Sequence, residues 1–240
     1  MKTPDYWGIS GFPISHSLTP KLFEIVGKHL GLEGTQSIFL EANSIEELQK
    51  NSSKLEGDIW LSCTSPLKHL LQEILVSEDM NQVNSINQLI RKDGKWTGAN
   101  TDGVGFVVAC RYIGVEPRGS ILKLRGGGST ARSIASSWAS AGGKIMPLSG
   151  RRKLKSGHWD EAIVDSGNAI LGIDVDTYTD ESEEIDAKLQ VSISYDEQVS
   201  SDQFAIIMLA AQHLEAWKTL FAPEKEKELP KLSLLLKELM

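Results

Sequence analysis

The most chemically pointed residues of this chain are a glycine-rich run and a basic cluster some way beyond it. Gly126, Gly128 and Ala131 fit the spacing G-x-G-x-x-G/A, with Gly127 between the glycines and Ser129 and Thr130 after them. In such a turn the first glycine permits the tight bend, the second lets a pyrophosphate approach the backbone, and the alanine lets helix and strand pack closely. Free amides at the helix N-terminus then face the phosphates. The context agrees, because Ile121–Leu124 reads as a strand and a helix of small residues runs on to Ala141. A tight turn with no ligand is the plain alternative. Sites for a free ribose 2′-hydroxyl place Asp or Glu about 20 residues further on. Here Ser149-Gly150 is followed by Arg151-Arg152-Lys153, and no carboxylate lies between Gly143 and Lys155. Guanidinium groups grip a 2′-phosphate in paired hydrogen bonds. NADP is therefore expected over NAD, held by this basic cluster.

Three polar runs lie further upstream. Ser15-His16-Ser17-Leu18-Thr19-Pro20 puts hydroxyls beside the start of a helix, which can clasp a small carboxylate or simply cap the helix at Thr19. Thr64-Ser65-Pro66-Leu67-Lys68 sets a lysine at a helix start, against the preference of the helix dipole. Asn100-Thr101-Asp102-Gly103 follows a strand and suits either chemistry or an Asx cap. His29, His69, His158 and His213 have no metal-ligand spacing, so no metal is expected.

The elements needed to hold these residues can be read in order. Tyr6–Phe12, Ser37–Glu41 and Ile59–Cys63 read as strands. Leu22, Phe23, Val26 and Leu30 recur at helical spacing behind Thr19-Pro20, and Ser44–Gln49 starts a second helix. Leu67–Val76 reads as a helix. Lys92-Asp93-Gly94-Lys95 joins two strands in a hairpin. Strand–helix alternation with one hairpin predicts an α/β unit with a mixed sheet. Gly103–Ile113 is then a helix leading to the second unit, which opens with the glycine turn and continues into the strand Lys144–Leu148. Seven acidic residues between Asp174 and Asp186 read as a solvated face. Phe204–Phe221 is apolar at helical spacing, and Leu232, Leu235, Leu236 and Leu239 mark a last amphipathic helix.

Composition limits what this assembly can be. At 240 residues the chain makes one large domain or two modest ones, and 40% apolar with 24% charged residues is ordinary for a soluble globular protein. A net charge of −7 argues against a nucleic-acid partner, because a phosphate backbone needs a cationic face. No apolar run is long enough to cross a bilayer, so no membrane partner is expected. Two cysteines allow no disulfide framework, and no signal peptide is evident, which together predict a cytoplasmic protein.

Taken in order, these motifs resemble those of shikimate dehydrogenases. Gly11-Phe12-Pro13-Ile14-Ser15-His16-Ser17-Leu18-Thr19-Pro20 is similar to the family's G-x-P-[IV]-x-H-S-x-[ST]-P, and Thr64-Ser65-Pro66-Leu67-Lys68 to the end of N-V-T-[IV]-P-x-K. Val83-Asn84-Ser85 is similar to A-V-N-T, and Gly98-Ala99-Asn100-Thr101-Asp102-Gly103-Val104-Gly105 to G-x-N-T-D-G-x-G. Gly126–Arg132 resembles the glycine loop, and Met208-Leu209-x-x-Gln212 the C-terminal M-L-x-x-Q. The match spans most of the chain, in a somewhat shortened form. The resemblance implies reduction of 3-dehydroshikimate to shikimate with NADP. Lys68 and Asp102 would be the catalytic pair, and Ser17 and Thr19 would hold the substrate carboxylate. Thr64, Asn84 and Gln212 would bind ring hydroxyls, with Tyr195 lining the site. Gly126, Gly127, Gly128, Ser129, Thr130, Arg151, Arg152 and Met208 would contact the cofactor. Quinate or another hydroxylated cyclic acid is the alternative substrate, and a binding protein with damaged catalysis is the non-enzymatic alternative. The implied fold is a two-domain α/β protein: an N-terminal substrate domain with a mixed sheet over 1–104, a Rossmann-type nucleotide domain over 105–204, and C-terminal helices over 205–240 returning to the first domain. The expected partner is a small-molecule substrate, and the expected state a monomer or homodimer.

Overall fold

The computed structural model describes residues 3–75, 83–176, 184–193 and 203–239. The chain divides into two compact units, one made of Met1–Thr101 and His213–Met240, the other of Asp102–Gln212.

The first unit is built on a five-stranded mixed sheet. Its strands are β1 (Tyr6–Gly11), β2 (Gln36–Glu41), β3 (Ile59–Cys63), β4 (Gln88–Lys92) and β5 (Lys95–Ala99), in the order β2-β1-β3-β4-β5. The first three run parallel, and the β4–β5 hairpin adds antiparallel strands beside β3. Asp93 and Gly94 both take positive φ in the hairpin turn (48° and 75°), as an Asp-Gly pair favours. The central strand β3 is buried on both faces. Ile59, Leu61 and Cys63 join Leu48, Leu67, Leu71, Leu89 and Trp96 in one apolar core. Trp60 points the other way, into an aromatic cluster with Trp217 and Phe221. Trp7, Phe23 and His213 complete that cluster.

Two helices flank the sheet, α1 (Thr19–His29) and α2 (Ile45–Ser52). Leu18 is the N-cap of α1, so Thr19 is its first residue rather than its cap. In α2, the N-cap Ser44 Oγ accepts from the Glu47 N–H at 3.2 Å, and Glu47 Oε2 accepts from the N–H of Asn43, one residue before the cap, at 2.7 Å. Arg91 staples the far end of α2 to the hairpin. Its Nη1 donates to the Ser52 carbonyl at 2.7 Å, its Nη2 to the carbonyls of Leu55 and Gly57 at 2.6 and 3.0 Å, and its guanidinium stands 5.8 Å from the Trp96 ring. Arg91→Ala is expected to cost about 1.5–3 kcal/mol, the range for charge-assisted hydrogen bonds. Urea unfolding of the two proteins measures it, and an unchanged midpoint would reduce Arg91 to a bystander.

The second unit has a four-stranded parallel sheet. Its strands are β6 (Ile121–Arg125), β7 (Lys144–Leu148), β8 (Leu171–Asp174) and β9 (Leu189–Ser192), ordered β7-β6-β8-β9. Helices α3 (Asp102–Tyr112), α4 (Ser129–Ser140) and α5 (Phe204–Ala216) belong to it through Gln212. Phe106 of α3 packs on Trp138 of α4 and Phe204 of α5. The remainder of α5 belongs with α6 (Leu232–Leu239) to the first unit. The mixed sheet, the Rossmann-type unit and the returning C-terminus are therefore as the sequence predicts.

Several expectations need correction. Leu67–Ile74 forms two short 3-10 turns, Leu67–His69 and Leu71–Ile74, instead of a continuous helix. Leu67 and Leu71 are both pulled into the core, which the tighter turn allows; Val76 lies outside the described residues. The long C-terminal helix stops at Ala216 and closes on a wider turn over Trp217–Phe221, where the Ala222 N–H reaches the Trp217 carbonyl at 3.0 Å. The acidic stretch contains Asp174 at the end of β8, a strand that the charge run concealed. No helix among the described residues is long and apolar enough to cross a membrane.

Candidate active site

Strands β1 and β3 are parallel neighbours, so both end at the same edge of the first sheet. The Ser17–Thr19 loop leaves one and the Thr64–Lys68 loop leaves the other. Gly11 lets them meet. Its φ is +143°, and a Cβ there would lie 2.5 Å from Thr64 Cγ2 and 2.8 Å from the Ser65 carbonyl oxygen. The Phe12 N–H donates to that carbonyl at 3.0 Å, and the Thr64 N–H to the Ser10 carbonyl at 2.9 Å. Ser17 Oγ accepts from the Thr19 N–H at 3.3 Å, which orients the hydroxyl and leaves its proton available. Thr19 itself is buried.

Lys68 sits on the first 3-10 turn, and its carbonyl accepts from the Ile86 N–H at 2.8 Å. That bond draws the Asn84–Ser85 segment alongside it. Asn84 takes a left-handed φ of 50°, which asparagine tolerates, and its side chain is exposed. Burial pushes the Cys63 thiol pKa far up while the nearby Lys68 charge pulls it back, so the ammonium stands close to a thiol that stays protonated. Behind these groups runs a buried polar chain. Ser62 Oγ donates to Gln88 Oε1 at 2.8 Å, Gln88 Nε2 to Thr101 Oγ1 at 3.3 Å, and the Thr101 N–H to Asn87 Oδ1 at 2.8 Å.

In the second unit, Asp102 opens α3 and is only 1% exposed. The adjacent glycines press this turn onto its neighbours. The Gly103 N–H donates to Ser133 Oγ at 2.7 Å, and a Cβ on Gly103 would lie 1.9 Å from the Ser133 carbonyl oxygen. A Cβ on Gly105 would lie 2.4 Å from the Gln212 Cβ, so α5 presents Gln212 to the same turn. Met208 is buried in α5. Tyr195 lies outside the described residues.

The glycine turn joins β6 to α4 as its spacing predicts. Gly126 has φ +120°, a conformation glycine favours, and Gly128 is the N-cap of α4 with no side-chain cap. A Cβ on Gly127 would meet the Lys153 carbonyl oxygen at 2.0 Å, so the segment after β7 lies directly on the turn. Gly128 is open, its nearest neighbour being Arg152 Nη1 at 3.7 Å. Arg132 Nη1 donates to the Gly127 carbonyl at 3.5 Å. Its pKa is lowered by burial and then by the charge of Arg152, which places two guanidiniums near one turn. This donor set fits an anionic dinucleotide. Sequence reasoning passed over Arg132, although it directly follows Ala131 of the motif. Arg125, immediately before the glycines, pairs with Asp174 at 3.0 Å. Among the described residues no group of three or more His, Cys, Asp or Glu side chains could hold a metal ion.

No family model matches the chain. A curated shikimate dehydrogenase (NADP(+)) of Alkaliphilus metalliredigens is 29% identical over 147 residues, covering 60% of this chain and 51% of that protein. The corresponding protein of Bacillus cereus strain AH187 is 29% identical over 189 residues, 78% of this chain and 68% of the relative. The chain thus spans about half the length of the first relative and two thirds of the second. Among solved structures, the shikimate 5-dehydrogenase of Thermus thermophilus, in complex with NADP(H) and shikimate, superposes with a TM-score of 0.74 at 21% identity, covering 98% of each chain. In sequence and in fold this chain is similar to shikimate dehydrogenases, and it shares their two-domain, Rossmann-type architecture.

Proposed function

We propose that this protein interconverts 3-dehydroshikimate and shikimate by NADP-dependent hydride transfer. The observation that carries the reading is the shared edge of β1 and β3, where Gly11 ties together the loops bearing Ser17, Thr19, Thr64 and Lys68. The Ser17 hydroxyl, oriented by the Thr19 N–H, suits a carboxylate with Thr19 beside it, and the ammonium suits an oxygen that gains negative charge. Bound NADP would supply or accept the hydride. In the reductive direction Lys68 Nζ gives its proton to the former carbonyl oxygen, and the Asp102 carboxylate balances the lysine through the change of charge. Thr64, Asn84 and Gln212 read the ring hydroxyls, and Tyr195 lines the site. Ser129, Thr130 and the amides of Gly126, Gly127 and Gly128 would hold the cofactor's phosphates, and Met208 would contact the cofactor. Arg151 and Arg152, joined by Arg132, take the 2′-phosphate. Both cysteines are free and buried, which fits a reducing compartment, so we place the protein in the cytoplasm, as a monomer or homodimer.

The test is the absorbance of reduced nicotinamide with shikimate or quinate and each cofactor. Turnover of shikimate with NADP supports the proposal, turnover of quinate alone moves it to the neighbouring substrate, and no turnover of either overturns it. Ser17→Ala should raise KM for shikimate about 10–100-fold and leave kcat nearly unchanged, because a hydrogen bond to a charged group remote from the reacting carbon is mostly uniform binding. An unchanged KM would leave Ser17 with only its local hydrogen bond from the Thr19 N–H.

A further inference from the structure

Asp174, at the end of β8, and Asp176, just after it, are engaged within the nucleotide unit. Because β8 lies beside β6 in parallel, the register sets Asp174 opposite Arg125 at the ends of the two strands. Arg125 Nη1 meets Asp174 Oδ2 at 3.0 Å, with the two side chains 13% and 10% exposed. The other oxygen, Asp174 Oδ1, accepts from the Asp176 N–H at 2.9 Å. This turn carries the Asp176 carboxylate back to the loop after β7, where Oδ2 accepts from the Arg152 N–H at 3.0 Å. A Cβ on Gly150 would lie 2.7 Å from the same oxygen, so glycine leaves room for it. The carboxylate holds the backbone of Arg152 and not its guanidinium. The guanidinium is left to reach over Gly128, while Arg132 approaches the turn from α4. Two like charges at one turn repel each other unless something holds them or an anion lies between them.

We propose that Asp176, anchored through Asp174 to Arg125, is a positioning residue for the 2′-phosphate of the dinucleotide, fixing Arg152 so that its guanidinium acts together with that of Arg132. The proposal rests on the NADP-dependent reading above and adds the element that assembles its phosphate grip. Asp176 acts through a hydrogen bond to the backbone, and its charge opposes the phosphate. Removing the acceptor and removing the charge should therefore have opposite effects.

The experiment is a calorimetric titration of the full chain with adenosine 2′,5′-bisphosphate and with 5′-AMP, neither of which needs turnover. Wild type is expected to bind the bisphosphate more tightly. Asp176→Ala should weaken the bisphosphate about tenfold, a change of the size of one hydrogen bond, and leave 5′-AMP unchanged. Asp176→Asn keeps an acceptor and loses the charge, so it should bind the bisphosphate at least as well as wild type. Gly150→Ala, which pushes a methyl group against the carboxylate, should reproduce Asp176→Ala and decides the matter if that variant does not fold. Full preference for the bisphosphate in Asp176→Ala or, failing that variant, in Gly150→Ala overturns this proposal alone. So does an equal loss for both ligands, or an Asn variant as weak as the Ala variant. No preference in wild type overturns the NADP reading along with it.

Discussion

Lys68→Met and Asp102→Asn should each lower kcat for shikimate oxidation by about 10²–10⁴-fold, the usual contribution of a positioned acid or base. Both replacements keep the side chain close to its original volume. Lys68 holds its turn through a backbone carbonyl bonded to Ile86, and Gly103 fixes the start of α3 through its own N–H to Ser133, so neither anchor is touched. Thermal melts should therefore shift little while turnover collapses. Stopped-flow and steady-state absorbance at saturating substrate measure the effect. Wild-type kcat in both variants would remove Lys68 and Asp102 from the chemistry and assign the proton transfer to other groups.

The second large effect is on stability in acid. His213 is wholly enclosed by the aromatic cluster of the first unit. Its Nε2 accepts from Trp217 Nε1–H at 3.0 Å, its ring is hydrogen-bonded to the backbone of Leu22, and its centroid lies 4.5 Å from that of Phe23. Burial pushes its pKa down to about 3. The unfolded chain binds a proton near the ordinary histidine value while the folded one refuses it. The full stability is thus present above about pH 6.5 and is lost progressively as pH falls toward the folded value. Between pH 7 and pH 5 this single group should cost about 2 kcal/mol. His213→Gln keeps an acceptor for Trp217 but does not titrate. It should be less stable than wild type at neutral pH, yet lose about 2 kcal/mol less on going to pH 5, as urea unfolding at the two pH values would show. Parallel losses in the two proteins would mean that His213 is not the acid-sensitive group.

Much of this protein was legible because local rules determine it. Short-range sterics made the Asp93-Gly94 hairpin and the Gly126 turn readable, and both form where the residues say. The short apolar run of β3 and the helical spacing after Pro20 located a strand and a helix face. The Ser17, Lys68, Asp102 and Gly126–Ala131 positions were visible as residue types beside element ends. The 3-10 turns after Pro66 were not, because a helical apolar pattern serves a helix and a pair of tighter turns alike.

The sequence by itself determined which groups exist and which strand or helix end each one stands beside, since those depend on neighbours a few residues away. Only the tertiary structure decided which distant groups share a place. Gly11 was legible only as part of a strand, and the fold packs Thr64 where its Cβ would be. Arg125 and Asp174 are far apart along the chain and meet only because β6 and β8 pair in parallel register. Arg151, Arg152 and Lys153 formed a visible basic run, but the carboxylate of Asp176 holding Arg152 and the guanidinium of Arg132 beside it come from other elements. A charge run carries no signal for which of its members will be buried, because burial is set by the strand order of the sheet and not by the composition of the segment.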